Sequence, residues 1–312
     1  MLVKDTHRMA ELSVNIGGLE LKNPVLTASG TFGYGDEFEV LYDLSELGGI
    51  VTKAITPEPR QGNLMPRIAE TECGMLNSIG LANVGLDEFV AKKIPVIEKF
   101  KTVVLINVAG KELADYVKVA AKLNEYSCID GIEVNISCPN VKEGGVAFGT
   151  DPKVAAEVTR EVRKVYKKHI MVKLSPNVTD ITAIAKAAEG EGADSLSLIN
   201  TLFGMAIDLK TFRPKVKSVV AGYSGPAIKP VALQAVYKCS RAVKIPLVGM
   251  GGIYTAADAV EFLLAGASAV QIGTANFTDP LSALNIAKGL EAFCAERKID
   301  DIKSLIGGLV ID

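Results

Sequence analysis

The stretch 131-GIEVNISCPN-140 decides the fold and raises the functional question. A strand-like run, Ile132-Glu133-Val134, leads into Asn135, Ser137, Cys138, Pro139 and Asn140. A buried strand that ends in amides, a thiol and a chain-breaking proline suits a parallel sheet whose carboxyl edge opens onto a site. Two readings of Cys138 stand side by side. It is either a small hydrophobe in a turn, as most cysteines outside disulfides are, or a reactive thiol at the mouth of an active site.

Runs of the same kind recur at 24-PVLTASG, 48-GGIVTKAI, 102-TVVLINVAG, 170-IMVKLSP, 195-SLSLINT, 246-PLVGMGG and 269-AVQIGTA. Segments of helical period separate most of them: 86-LDEFVAKKIPVIEKF, 112-ELADYVKVAAKLNEY, 153-KVAAEVTREVRKVYKK, 181-ITAIAKAAEGEG, 230-PVALQAVYKCSRAV and 256-AADAVEFLLAGA. Eight apolar strands with intervening helices predict an α/β fold, a (β/α)8 TIM barrel, with residues 1–312 forming one domain. The rival is a doubly wound sheet, but 30-GTFGYG-35 lacks the G-x-G-x-x-G spacing that such a sheet would place after its first strand. The early 12-LSVNIGGLELKNP reads as an N-terminal β-hairpin with a Gly-Gly turn, capping the barrel floor. Two stretches with little helical pattern, 56–85 and 201–226, are long enough to be expected as lids or binding loops.

Composition narrows the partners. The chain has 312 residues, 48% of them hydrophobic and 22% charged, with a net charge of −2. There is no basic block of the kind that binds nucleic acid. The amino end has no apolar core of a secretory signal, and no apolar run approaches the roughly 20 residues of a membrane span. A cytoplasmic protein is expected. The five cysteines (Cys73, Cys128, Cys138, Cys239 and Cys294) are scattered and odd in number, which favours reduced thiols. No C-x-x-C occurs, so neither an iron–sulfur cluster nor structural zinc is expected on this chain. The only histidines, His7 and His169, suggest neither a metal site nor a triad.

In a barrel of this type the chemistry lies at the carboxyl ends of the strands. There the sequence places Ser29, Lys53, Asn107, Asn135, Lys173, Asn200 and Thr201, with Cys138 just after the fourth strand. Any one of these could be structural. Together they form a cage suited to a polar, planar, anionic ligand rich in acceptors. The seventh and eighth ends carry Gly251-Gly252 and Gly273-Thr274, where backbone N–H groups can approach a phosphate.

In these residues the chain resembles the class 1 dihydroorotate dehydrogenases, flavoenzymes of pyrimidine biosynthesis. The matching blocks are 23-NPVLTASGTFGYG, 51-VTKAIT, 74-GMLNSIGLANVG, 133-EVNISCPNVKEGG, 171-MVKLSPNVTDI, 199-INTLFGMAID, 224-SGPAIKP, 249-GMGGIYTAAD and 270-VQIGTANF. They span nearly the whole chain, and the 199–230 region looks most like subclass 1B, which passes electrons to NAD+ through a second subunit. The resemblance implies FMN at the barrel mouth. Ser29, Lys53, Ala54, Asn107, Asn135, Lys173 and Ile199 would line the isoalloxazine and ribityl chain. Gly225, Gly251, Gly252, Gly273 and Thr274 would lie toward the phosphate. Dihydroorotate would be held by Lys53, by Asn77, Ser78, Ile79, Gly80 and Leu81, and by Asn135, Asn200 and Thr201. Cys138 would be the general base, Lys173 would stabilise charge on the flavin, and Lys53 would pair with ligand charge.

The resemblance further implies FAD and a [2Fe–2S] cluster on a partner subunit, and a heterotetramer built on a homodimer of this chain. The alternatives are a fumarate-dependent class 1A enzyme, a dihydropyrimidine dehydrogenase, and a phosphate-binding barrel without flavin. One departure is visible: where the family pattern has Asn-Pro in the substrate loop, this chain has Asn83-Val84.

Overall fold

The computed structural model describes residues 10–136 and 149–311. Eight parallel strands close into a barrel: β1 (Val25–Thr27), β2 (Gly49–Val51), β3 (Val103–Val108), β4 (Gly131–Asn135), β5 (His169–Lys173), β6 (Ser195–Leu198), β7 (Leu247–Met250) and β8 (Ala269–Ile272). They neighbour one another in chain order, and β8 pairs back onto β1. These are the eight runs expected from the sequence. Apolar side chains occur on both faces because one face fills the barrel and the other meets the helices.

The helices Leu113–Leu123, Pro152–Val165, Ile181–Gly190, Lys229–Ser240 and Ala256–Leu264 lie where helical period predicts them. Several start on side-chain caps. Asp151 accepts from the Lys153 amide, Asp180 from that of Thr182, and Thr255 and Asp258 form a reciprocal capping box. The helix after β2 runs through Leu86–Glu88 and Ile94–Ile97, with a wider π turn at Phe89–Lys93 between them. That turn ends two residues before Pro95, whose ring supplies no N–H to an α-helical ladder. Among the described residues, no helix is long and apolar enough to cross a membrane.

Val14–Asn15 and Glu20–Leu21 form the expected hairpin, turning through Gly17 and Gly18 at φ 82° and 88°. Gly17 lies against the Asp194 carbonyl, just before β6, so closely that a Cβ would come within 2.1 Å of the oxygen. The hairpin therefore covers the amino-terminal end of the barrel.

The two stretches of weak helical pattern are not independent loops. Ile68–Thr71 and Gly74–Asn77 from the first join Leu202–Gly204 and Ala221–Ser224 from the second in one four-stranded antiparallel sheet. Leu76, Val216 and Ala221 form a small apolar core of their own beneath it. This sheet stands over the carboxyl ends of the barrel strands.

Candidate active site

A cavity of about 740 Å³ lies between the barrel ends and the antiparallel sheet. Its floor takes Ser29, Lys53, Ala54, Asn107, Asn135 and Lys173 from the ends of β1 to β5. Ile199, Asn200 and Thr201 follow β6, and Gly251, Gly252, Gly273 and Thr274 follow β7 and β8. The roof supplies Asn77, Ser78, Ile79, Gly80 and Leu81 from one excursion and Gly225 from the other. Every candidate residue within the described segments thus faces one space. Cys138 lies outside them, a few positions beyond the cavity-lining Asn135, whose carbonyl accepts from the Tyr116 hydroxyl at 3.0 Å.

The floor is built on a buried charge that the strand pattern did not single out. Glu133, on β4, is fully buried. Its Oε1 accepts from Ser197 Oγ at 2.8 Å and from Gln271 Nε2 at 2.9 Å, and its Oε2 accepts from Asn107 Nδ2 at 2.5 Å. The Lys173 ammonium stands 3.6 Å from the same Oε2. Burial pushes the Glu133 carboxyl up, but Lys173 and the three donors together hold it below the ordinary carboxylate value. Ser29 Oγ ties the upper side of this group, accepting from Lys173 Nζ at 3.1 Å and from Asn107 Nδ2 at 3.2 Å.

Because an ionised carboxylate only accepts, the Asn107 amide is oriented with its nitrogen toward Glu133. Its Oδ1 is consequently buried without a hydrogen-bond partner among the described residues. A buried amide oxygen in that condition calls for a donor from a ligand.

Lys53 is the other lysine of the floor. Burial and the nearby Arg67 guanidinium lower its pKa, opposed by Glu37. Lys53 and Arg67 both face the cavity and bias it toward anions.

Local turns set the roof. Gly80 and Leu81 adopt φ of 75° and 57°, and Asn63 holds the segment by donating from Nδ2 to Ser78 O at 3.0 Å and Ser78 Oγ at 2.9 Å. Asn83 secures the exit. Its amide donates to Thr56 Oγ1 and to Leu81 O, both at 2.8 Å, and accepts from the Gly85 N–H at 2.8 Å. The loop thus turns without the proline of the family pattern. On the other excursion Asn177 clasps the chain after β6, donating to Thr201 O at 2.9 Å and accepting from the Phe203 N–H at 3.0 Å.

At the far end, Gly225, Gly251 and Gly252 have φ of 109°, 120° and 76°. A Cβ on Gly225 would meet Gly74 Cα at 2.5 Å, and one on Gly252 would meet Lys229 Cβ at 2.7 Å. Thr274 Oγ1 donates to Ser224 Oγ at 2.8 Å, joining the barrel to the roof.

Sequence reasoning missed Glu133, Asn63, Arg67 and Asn177 as parts of this site. A signal existed for Glu133, since an acidic residue within an apolar strand needs partners. Asn63, Arg67 and Asn177 act on residues brought close only by the fold: Ser78 for Asn63, Lys53 for Arg67, and Thr201 and Phe203 for Asn177.

A closed parallel barrel with a polar, cationic cavity at its carboxyl ends has the architecture of the (β/α)8 enzymes. Within that class the chain belongs to the dihydroorotate dehydrogenase family, whose model matches residues 11–294. This is the family whose motifs the sequence carries. Three relatives, each named "Dihydroorotate dehydrogenase B (NAD(+)), catalytic subunit", show how near the likeness is. The protein of Geotalea daltonii is 54% identical over 301 residues, covering 96% of this chain and 99% of the relative. That of Bacteroides thetaiotaomicron is 54% identical over 303 residues, covering 97% and 100%. That of a Thermoanaerobacter species is 51% identical over 301 residues, covering 96% and 99%. All three are of the B type anticipated from the 199–230 region.

Proposed function

We propose that this chain is the catalytic subunit of an NAD+-linked dihydroorotate dehydrogenase, oxidising dihydroorotate to orotate in pyrimidine biosynthesis. The observation that carries the proposal is the meeting of strand-end lysines and amides with the two excursions around one cavity. The chemistry of the lining also fits FMN. The unpartnered Asn107 Oδ1 would accept from a ring N–H, and Lys173 and Ser29 would border the isoalloxazine. The glycines at 225, 251 and 252, where side chains do not fit, would let backbone approach the phosphate end together with Gly273 and Thr274.

Oxidation of dihydroorotate removes a proton from C5 and a hydride from C6. FMN, when bound, supplies the acceptor for that hydride. The proton is the task of this chain. Cys138 is assigned as the general base, its thiolate taking the C5 proton, a role of the kind that contributes roughly 10²- to 10⁴-fold. Lys53 pairs with the substrate carboxylate, and Asn77, Asn135, Asn200 and Thr201 hold the ring amides. Ser78, Ile79, Gly80 and Leu81 close over the substrate, and Lys173 supplies positive charge that stabilises developing negative charge. A partner subunit carrying FAD and [2Fe–2S] would supply the route to NAD+, in a cytoplasmic heterotetramer assembled on a homodimer of this barrel. The words "catalytic subunit" in the relatives' names support a partner.

The test is anaerobic mixing of the flavin-loaded protein with dihydroorotate, following visible flavin absorbance in the wild type and in Cys138→Ala. Rapid bleaching in the wild type, slowed by orders of magnitude in the variant, is expected. Bound flavin that dihydroorotate leaves oxidised would overturn the substrate assignment. For the partner, a copurifying homodimer alone that turns over rapidly with fumarate would sink the B-type assembly.

A further inference from the structure

We propose that Glu133 is a positioning residue that sets both the place and the net charge of the Lys173–Asn107 floor. The flavin part of its test rests on the FMN reading above, while its stability part does not. Glu133 does not line the cavity. It lies one layer beneath, and both residues it holds through Oε2 reach the cavity: Asn107 by a hydrogen bond and Lys173 by an ion pair. Through Oε1 it is anchored to Ser197 on β6 and Gln271 on β8. One carboxylate on β4 therefore engages side chains from four other barrel strands.

The arrangement has two consequences. It orients the Asn107 amide so that the oxygen is left for a ligand, because the nitrogen is committed to a group that can only accept. It also opposes the Lys173 charge, so the floor presents the field of an ion pair and not that of a bare ammonium. Charge placed near a flavin tunes its electronics. Removing the carboxylate while keeping the ammonium should favour the anionic reduced form and raise the potential.

A merely structural Glu133, one that only ties strands together, makes different predictions, and two measurements separate them. The first is a double-mutant cycle on the thermal midpoint of the flavin-free protein, with Glu133→Gln, Lys173→Met and the pair. Breaking a buried ion pair from one side is far more damaging than replacing both members. Glu133→Gln alone is therefore expected to lower the midpoint, and adding Lys173→Met to recover most of the loss. Should Glu133→Gln fail to fold, a folded double variant supports the proposal. A double variant that loses the sum of the single effects, or does not fold, overturns it.

The second measurement is the two-electron potential of the flavin-loaded protein, with Ser197→Ala as the control that removes one anchor and keeps both charges. Glu133→Gln is expected to shift the reduction equilibrium at least about tenfold toward the reduced form, roughly 30 mV, with Ser197→Ala unmoved. A folded Glu133→Gln protein with the wild-type potential overturns the proposal. A wild-type protein that binds no FMN instead counts against the functional reading, and the stability cycle still decides the role of Glu133.

Discussion

Gly222 stands opposite Asn77 in an antiparallel ladder and lies so close to Thr201 that a Cβ would meet its Oγ1 at 2.3 Å. These two approaches tie both excursions of the cavity roof to the Thr201 that follows β6. A methyl group here has no room unless Thr201 moves. Gly222→Ala is expected to cost about 1–3 kcal/mol of stability, the usual range for overpacking. It should also raise KM for dihydroorotate, since Thr201 lines the cavity. Thermal melts and steady-state kinetics on the same preparation check both.

Gly252 makes a prediction at the opposite end of the cavity. Its φ of 76° and the 2.7 Å approach to Lys229 Cβ leave no place for a side chain. Gly252→Ala should weaken FMN binding by at least about tenfold, some 1.4 kcal/mol. Fluorescence titration of flavin-free protein measures it. Wild-type affinity in a folded variant would remove Gly252 from the phosphate end.

Asn83, beside the Val84 that stands where the family pattern has proline, fixes the loop by holding Thr56, Leu81 and Gly85. Asn83→Ala strands buried partners at about 1–3 kcal/mol. The expected signature is a rise in KM larger than the fall in kcat, with flavin retained, because the residue shapes the roof segment and does not touch the floor network.

The barrel floor carries a pH dependence. His169 is buried, with Nε2 2.8 Å from Ser195 Oγ, and sits near Asp194 and Arg163. Burial lowers its pKa, opposed by Asp194 and the Gly17 backbone and assisted by Arg163. With the folded pKa below the unfolded value, near 6.5, the unfolded chain takes the proton first. The contribution is full above that pH and is lost as pH falls toward the depressed value. Thermal midpoints should therefore decline from pH 7.5 to 5.5, and His169→Gln should flatten the decline. Glu133 also has a lowered folded pKa, so its contribution is lost as pH falls through the carboxylate range, a window that opens below the start of the His169 one.

Much of this was legible in the chain. Val103–Val108 and His169–Lys173 announce buried parallel strands because both of their faces are apolar. Lys53, Asn107 and Lys173 stand out because polar groups at the ends of such strands need partners. The roof was not legible. Gly74–Asn77 and Ala221–Ser224 are short and carry no strong period, and they become strands only by pairing with each other.

The sequence by itself determined the barrel, its strand order and the polar ring at its carboxyl ends, because burial on both faces and turn chemistry are written in local composition. The tertiary structure alone decided how Glu133 gathers four strands beneath that ring, how Asn83 holds its loop without a following proline, and how two distant excursions share one sheet. Those features rest on hydrogen bonds and steric limits between residues far apart in the chain, and no local pattern encodes the distances at which they meet.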